Sequence, residues 1–161
     1  MEIEFREGRV DSGDGGRLER AMRQEMAVVY DGLDIAGGHM PPAGPAELNP
    51  PAGAFLVGYA DGRAVCCGGI KRLDEHSCEL KRMYVVPDAR GRGVGQALLR
   101  ALEVHARALG YEVARLDTGP RQPGAQRMYE RAGYVAIENF NANPIATFFG
   151  EKRLSPGGGV P

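Results

Sequence analysis

Asp61-Gly62 sits between two apolar, β-prone runs, Ala54–Ala60 (AFLVGYA) and Arg63–Leu73 (RAVCCGGIKRL). A two-residue hairpin turn needs left-handed backbone at its centre, which Asp-Gly supplies, so the pair fixes two antiparallel strands. A third run, Cys78–Val86 (CELKRMYVV), follows a polar turn and extends the hairpin to a three-stranded meander. Val94, Ala97, Leu98, Ala101, Leu102, Ala108 and Leu109 then recur at helical spacing, and Gly110 supplies the stop, predicting a helix over 94–109. Beyond it the chain reads as a strand over 112–118, a helix over 123–132 opened by Pro123, and strands over 133–137 and 145–152. Before the hairpin, a short strand over 3–6 leads through a Gly/Asp/Ser-rich turn, 8–16, into an amphipathic helix over 17–33. Residues 37–53 hold five prolines and four glycines and read as an irregular loop, long enough to be functional.

Composition narrows the class. The 161 residues fit one domain, and 43% hydrophobic with 25% charged residues describes a folded globular chain rather than a disordered one. No apolar run is long enough to span a bilayer, and the start, MEIEFREGRV, lacks the apolar stretch of a signal peptide, so the expected location is cytoplasmic. A net charge of -1 gives no reason to expect nucleic acid or a membrane as partner. Cys66, Cys67 and Cys78 have neither disulfide nor zinc spacing and read as buried small hydrophobes; no metal is expected. The fold should end near Leu154, with 155–161 (SPGGGVP) a disordered tail on a single domain, 1–154.

Charge is uneven, however. From Lys81 to Arg100 the chain carries Lys81, Arg82, Arg90, Arg92 and Arg100 against Asp88 alone. Within that stretch a strand breaks at Pro87 into a loop with Gly91, Gly93 and Gly95, which opens the long helix. A glycine-rich helix N-terminus offers unpaired N–H groups and the positive end of the helix dipole, a natural seat for phosphate. A P-loop is excluded because no Gly-Lys-Ser/Thr ending occurs, and a dinucleotide fingerprint fails because Gln96 stands where its third glycine belongs.

The segment resembles motif A of the GNAT superfamily of acyl-CoA-dependent N-acyltransferases, [QR]-x-x-G-x-[GA], here Arg90-Gly91-Arg92-Gly93-Val94-Gly95. Downstream, Gln122, Ala125, Tyr129, Gly133 and Tyr134 match the family's N-x-x-A-x-x-x-Y-x-x-x-G-[FY] spacing, with Gln122 replacing the common asparagine. The resemblance covers about 55–154. It implies an α/β (α+β) fold with a mixed, mostly antiparallel central sheet flanked by helices on both faces. It further implies acetyl-CoA as cosubstrate, its pyrophosphate against Arg90, Gly91, Arg92, Gly93, Val94, Gly95 and Gln96, with Gln122 nearby and its pantetheine arm along the main chain of Met83, Tyr84, Val85 and Val86. Tyr129 corresponds to the family's general acid. A homodimer is also within what the resemblance implies.

For the base the chosen residue is Glu79. Strand alternation places Glu79, Lys81, Met83 and Val85 on one face and Cys78, Leu80, Arg82, Tyr84 and Val86 on the other. A carboxylate there can take the amine proton through water, and Lys81 beside it can meet an acidic group on the substrate; an ordinary Glu79–Lys81 ion pair is the competing reading. His39, His76 and His105 are not assigned to catalysis, and Asn139, Asn141 and Asn143 fit either turn chemistry or a substrate-facing loop. The expected function is N-acetylation of a small-molecule amine, such as an amino acid, by direct attack. The alternatives are protein N-terminal or lysine acetylation and a non-catalytic acyl-CoA-binding module.

Overall fold

A computed structural model of the chain describes residues 1–155, so most of the expected tail lies outside the described residues. Its centre is a seven-stranded sheet in the order β1-β2-β3-β4-β5-β7-β6. The strands are β1 (Glu4–Glu7), β2 (Ala54–Ala60), β3 (Arg63–Arg72), β4 (Ser77–Val85), β5 (Val113–Thr118), β6 (Val135–Ala136) and β7 (Phe148–Arg153). Every pairing is antiparallel except β4 with β5. The helices are α1 (Gly13–Val29), α2 (Pro45–Leu48), α3 (Val94–Ala108) and α4 (Pro123–Arg131), with a 3-10 turn over Pro87–Ala89. The mostly antiparallel mixed sheet with helices on both faces is the fold expected. Asp61 and Gly62 make the predicted turn, at φ 51° and 79°.

Two apolar layers cover the sheet. On one face Leu98, Leu102 and Ala106 of α3 and Tyr129 of α4 pack on Ile70, Cys78, Leu80 and Leu116. On the other, Leu18 of α1 and Leu48 of α2 pack on Phe55, Val57, Cys67 and Tyr84. Each fully buried leucine contributes about 1.5–3 kcal/mol.

The structure corrects three boundaries. Helix α1 runs over 13–29 rather than 17–33. Gly15, expected in a turn, lies in its first turn because a Cβ there would collide with the Arg9 carbonyl oxygen. Its end is set by Asp31 and Gly32, both left-handed at φ 54° and 95°. The last strand begins at 148, not 145, because the Asn143 side-chain oxygen accepts from the N–H groups of Ile145 and Ala146 at 2.9 and 3.1 Å and turns the chain there. The strand expected over 133–137 shortens to the two residues of β6. The proline-rich loop also holds the single-turn α2.

The correction with most consequence is inside β4. Cys67 pairs with Tyr84 and Gly69 with Lys81, so Arg82 and Met83 together oppose Gly68 alone. Arg82 carries this β-bulge at φ 56°, a left-handed conformation costing a non-glycine residue roughly 1–2 kcal/mol. The bulge inverts the alternation. A Cβ on Gly69, opposite Lys81, would meet Leu48 and Phe55, whereas one on Gly68 would meet Leu98, Leu102 and Met83. Glu79 and Lys81 therefore share the α1 face with Arg82 and Tyr84, while Met83 and Val85 turn to the α3 face, contrary to strict alternation.

Candidate functional site

β4 and β5 are paired only where Ser77, Cys78 and Glu79 face Val113, Ala114 and Arg115. Past Glu79 the strands part, and among the described residues the edge of β4 that faced β5 has no strand partner. The opening is a cleft of about 770 Å³ bordered by Met83, Tyr84, Val85, Arg90, Gly91, Gly93, Val94, Gly95, Gln96 and Gln122. Of the twelve residues expected to hold the cofactor, two stand apart. Val86 donates its N–H to the Val65 carbonyl at 2.9 Å, inside the sheet, and Arg92 is exposed to solvent away from the cleft lining.

The loop has the backbone geometry that an anion seat requires. Gly91 and Gly93 both adopt φ 79°, and a Cβ on either meets no protein atom closer than 4.0 Å, so glycine serves the left-handed backbone rather than relieving a clash. Gly93 caps α3, whose first internal bond runs from Ala97 N–H to Gly93 O at 3.1 Å. The N–H groups of Val94, Gly95 and Gln96 are thereby left at the helix mouth, facing the cleft. These residues fit a pyrophosphate. Arg90 has a second duty: its guanidinium donates to both Glu25 oxygens of α1 at 2.8 and 2.9 Å and to the Val85 carbonyl at 2.9 Å. It ties α1 to the free end of β4.

Deeper in, the cleft adjoins a chamber of about 110 Å³, and Met22, Met26, Met83, Gln122 and Tyr129 border both. Tyr129 is 7% exposed, and its hydroxyl lies 3.6 Å from the Met83 sulfur. Burial, with the nearby Asp117 carboxylate, pushes its pKa up, so the phenol stays protonated and able to donate. Chamber polarity comes from Lys81, Arg82, Asp117, Thr118 and Asn143, and its apolar wall from α1 and the segment after it. A latch closes the top: the Tyr30 hydroxyl donates to Gln122 Oε1 at 3.1 Å, and Arg121 donates to the Val29 carbonyl at 2.6 Å and to Asp31 at 2.9 Å.

Glu79 lies beneath this chamber and does not border it. It is fully buried, and one oxygen accepts from Lys81 at 3.1 Å and from Asn141 at 2.8 Å while Oε1 has no partner. Burial drives its pKa up against the opposing pull of Lys81. Asn141 also donates to Asp117 at 2.7 Å, and Asn143 donates to the same Asp117 oxygen at 3.0 Å. Asp117 and the two asparagines were not singled out as a site by sequence reasoning. The available signal was an acidic residue at the end of an alternating strand, and the asparagines matched turn chemistry equally well. His39, His76 and His105 take no part in this network, and no group of three or more His, Cys, Asp and Glu side chains converges among the described residues.

The sequence model described as the Acetyltransferase (GNAT) family matches residues 23–134. The chain belongs to the GNAT acetyltransferase family. Among curated relatives of this GNAT chain, an IAA acetyltransferase of Azospirillum brasilense is 39% identical over 104 residues, 62% of this chain and 67% of that protein. An uncharacterized N-acetyltransferase of Schizosaccharomyces pombe is 34% identical over 62% of each chain, so the match spans about two thirds or less of these relatives' lengths. A solved structure of a candidate acyl-CoA N-acyltransferase from Klebsiella pneumoniae superposes with TM-score 0.76 at 29% identity, covering 95% of this chain and 98% of that one. A GNAT acetyltransferase from Elizabethkingia anophelis with acetyl-CoA bound shares the fold at TM-score 0.66 and 14% identity, over 94% and 98% of the two chains. No helix among the described residues is long and apolar enough to cross a membrane.

Proposed function

We propose that this GNAT chain transfers the acetyl group of acetyl-CoA to the primary amine of a small molecule that also bears a carboxylate. The observation that carries the reading is the meeting of two cavities at Met83 and Tyr129, one with the glycine-rich start of α3 at its mouth and the other lined by ionisable groups. The cosubstrate supplies a thioester whose carbonyl carbon is open to attack by an amine. The parted edge of β4 orients it by main-chain hydrogen bonds, and the α3 N-terminus holds its pyrophosphate.

An amine near pH 7 carries a proton that must leave before attack. Asp117 at the chamber wall and Glu79 behind it, joined by Asn141, receive it as one pair, and burial raises the pKa of Glu79 within that pair. The nitrogen then bonds to the carbonyl carbon, the carbon–sulfur bond breaks, Tyr129 gives its proton to the departing sulfur, and the remaining extra proton on the nitrogen passes through water to the tyrosinate, leaving a neutral amide and phenol. The small chamber volume and its cover over 30–41 support a small acceptor over a protein chain. The test is release of coenzyme A thiol from acetyl-CoA against a panel of amines, with the product identified by mass. Turnover on free amino acids or similar amines is the expected result; thiol release only with protein or peptide acceptors, or none at all, overturns it.

A further inference from the structure

Lys81 was the expected partner for an acidic group on the acceptor, but its ammonium faces the buried Glu79 carboxylate at 3.1 Å. The neighbouring Arg82 is placed differently. Its side chain is 7% exposed, with Nη2 donating to the Ile35 carbonyl at 3.2 Å and Nε 3.5 Å from a Glu19 oxygen, outside good bonding geometry. Nε has no hydrogen-bond partner. A guanidinium carries five N–H donors, so beside its ion pair with Glu19 and its bond to Ile35 this one keeps donors, Nε among them, for a ligand. Two cavities border Arg82: the inner chamber, and a larger cleft between α1 and residues 36–45 with Arg20 and Arg23 at its rim. Met40 and Pro41 border both as well, so the two spaces adjoin at Arg82.

The left-handed backbone at Arg82 is a second, independent observation. Glycine adopts φ 56° freely, and the bulge would form more easily with it. The chain instead holds a long cation in the strained position, and the bulge turns that cation onto the face occupied by α1. Strain kept at one residue whose side chain borders two cavities points to a use for the side chain.

We propose that Arg82 is the specificity-determining residue of the acceptor site: it binds the carboxylate of an amine that arrives through the cleft between α1 and residues 36–45, away from the cofactor mouth. The planar donors of a guanidinium suit a carboxylate, which an amide cannot replace. The chamber wall adds a second selection. Met22, Met26, Leu33, Ile35, Met40 and Ile145 give it an apolar part beside its polar groups, so the acceptor carries an apolar body between or beside its two polar groups. The preferred class is an amino acid, or a like amine and carboxylate pair, with an aliphatic or thioether side chain.

This inference rests on the acetyltransferase reading, and the experiment separates the two. Initial rates of thiol release are measured with leucine, leucinamide, methionine, methioninamide and aspartate. The wild type should prefer each apolar acid over its amide by at least about tenfold in kcat/KM, the worth of a charge-assisted bond. Aspartate should be poorer than leucine. In Arg82→Gln the KM for leucine should rise at least about tenfold, with kcat and the leucinamide parameters little changed and acetyl-CoA affinity unaltered. Arg82→Lys should recover part of the acid preference, and Arg82→Gly, free of backbone strain, gives the same readout if the glutamine variant folds poorly. Equal wild-type rates on acid and amide, or equal losses on both in the variants, overturn the inference and leave the acetyltransferase reading intact. Thiol release with no amine at all overturns both.

Discussion

Replacing Tyr129 with phenylalanine isolates proton donation from packing. Among the described residues the hydroxyl has one hydrogen-bond partner, the Met83 sulfur at 3.6 Å, and a thioether is a weak acceptor. Deleting the oxygen therefore leaves no strong donor or acceptor unmatched in the interior. The ring keeps its edge contact with Tyr134, with centroids 6.1 Å apart, and its place between α4 and the sheet. The stability change should stay within about 0.5 kcal/mol, a Tm shift under about 2 °C for a chain of this size. The catalytic loss is of another order. A positioned general acid contributes roughly 10²–10⁴ in rate, or about 2.7–5.4 kcal/mol at 1.36 kcal/mol per decade.

The assay is a continuous thiol-release measurement of kcat at saturating acetyl-CoA and amine, with calorimetric titration of acetyl-CoA and a melting curve beside it. The expected pattern is kcat down by ~10²-fold or more, acetyl-CoA affinity within about twofold and an unchanged Tm. The pH profile supplies a second sign. Burial raises the phenol, so the donor form persists beyond its ordinary value of about 10, and wild-type kcat should show no falling alkaline limb from this group below that pH. A phenylalanine variant at full speed refutes the assignment, as does an alkaline limb well below pH ~10 that the variant abolishes.

Gly93→Asp places a side chain and a negative charge at the mouth of α3 on left-handed backbone, and acetyl-CoA affinity by calorimetry should fall at least about tenfold; normal binding would remove the phosphate-seat reading. Glu79→Gln should lower kcat/KM by ~10²-fold and remove a rising acid limb that in the wild type lies above the ordinary carboxylate value of about 4.3, because a raised pKa keeps the base protonated to higher pH; a limb that survives unchanged assigns the proton to Asp117 alone. Burial pushes the Cys66 and Cys78 thiols up to about 12 and Cys67 higher still, so a thiol reagent at pH ~8 should find almost no reactive cysteine in the native chain and all three after denaturation. Rapid native labelling would contradict their burial.

The sequence was most legible where the backbone has few choices. Asp61-Gly62, the Pro87 break and Gly110 each marked an element end because the local conformation admits few residues. The loop glycines marked the left-handed turn that opens α3 for the same reason. What stayed hidden depended on distant partners. Nothing local to CELKRMYVV announces a bulge at Arg82; it exists because Gly68 faces two residues at once, and only the β3–β4 register shows it. Asp117 became part of the site because Asn141 and Asn143 reach it from a loop 24 and 26 residues away. The early start of α1 came from a close approach to Arg9, where a glycine signals proximity and a turn with the same letter.

The bulge in β4 also separates two kinds of inheritance. Beyond it the strand offers its main chain, whose hydrogen-bonding groups are the same whatever the side chains, and it is there that we propose the cosubstrate is held. At the bulge the strand offers a side chain, Arg82, and it is there that we propose the acceptor is met. Substitutions that retune the acceptor therefore need not disturb the groups that hold the shared cosubstrate. Two chains can diverge widely in sequence and in the molecule they acetylate while the hinge between the functions stays at one strained residue. Such a scaffold lets selection explore new acceptors one side chain at a time, without first rebuilding the donor half of the reaction.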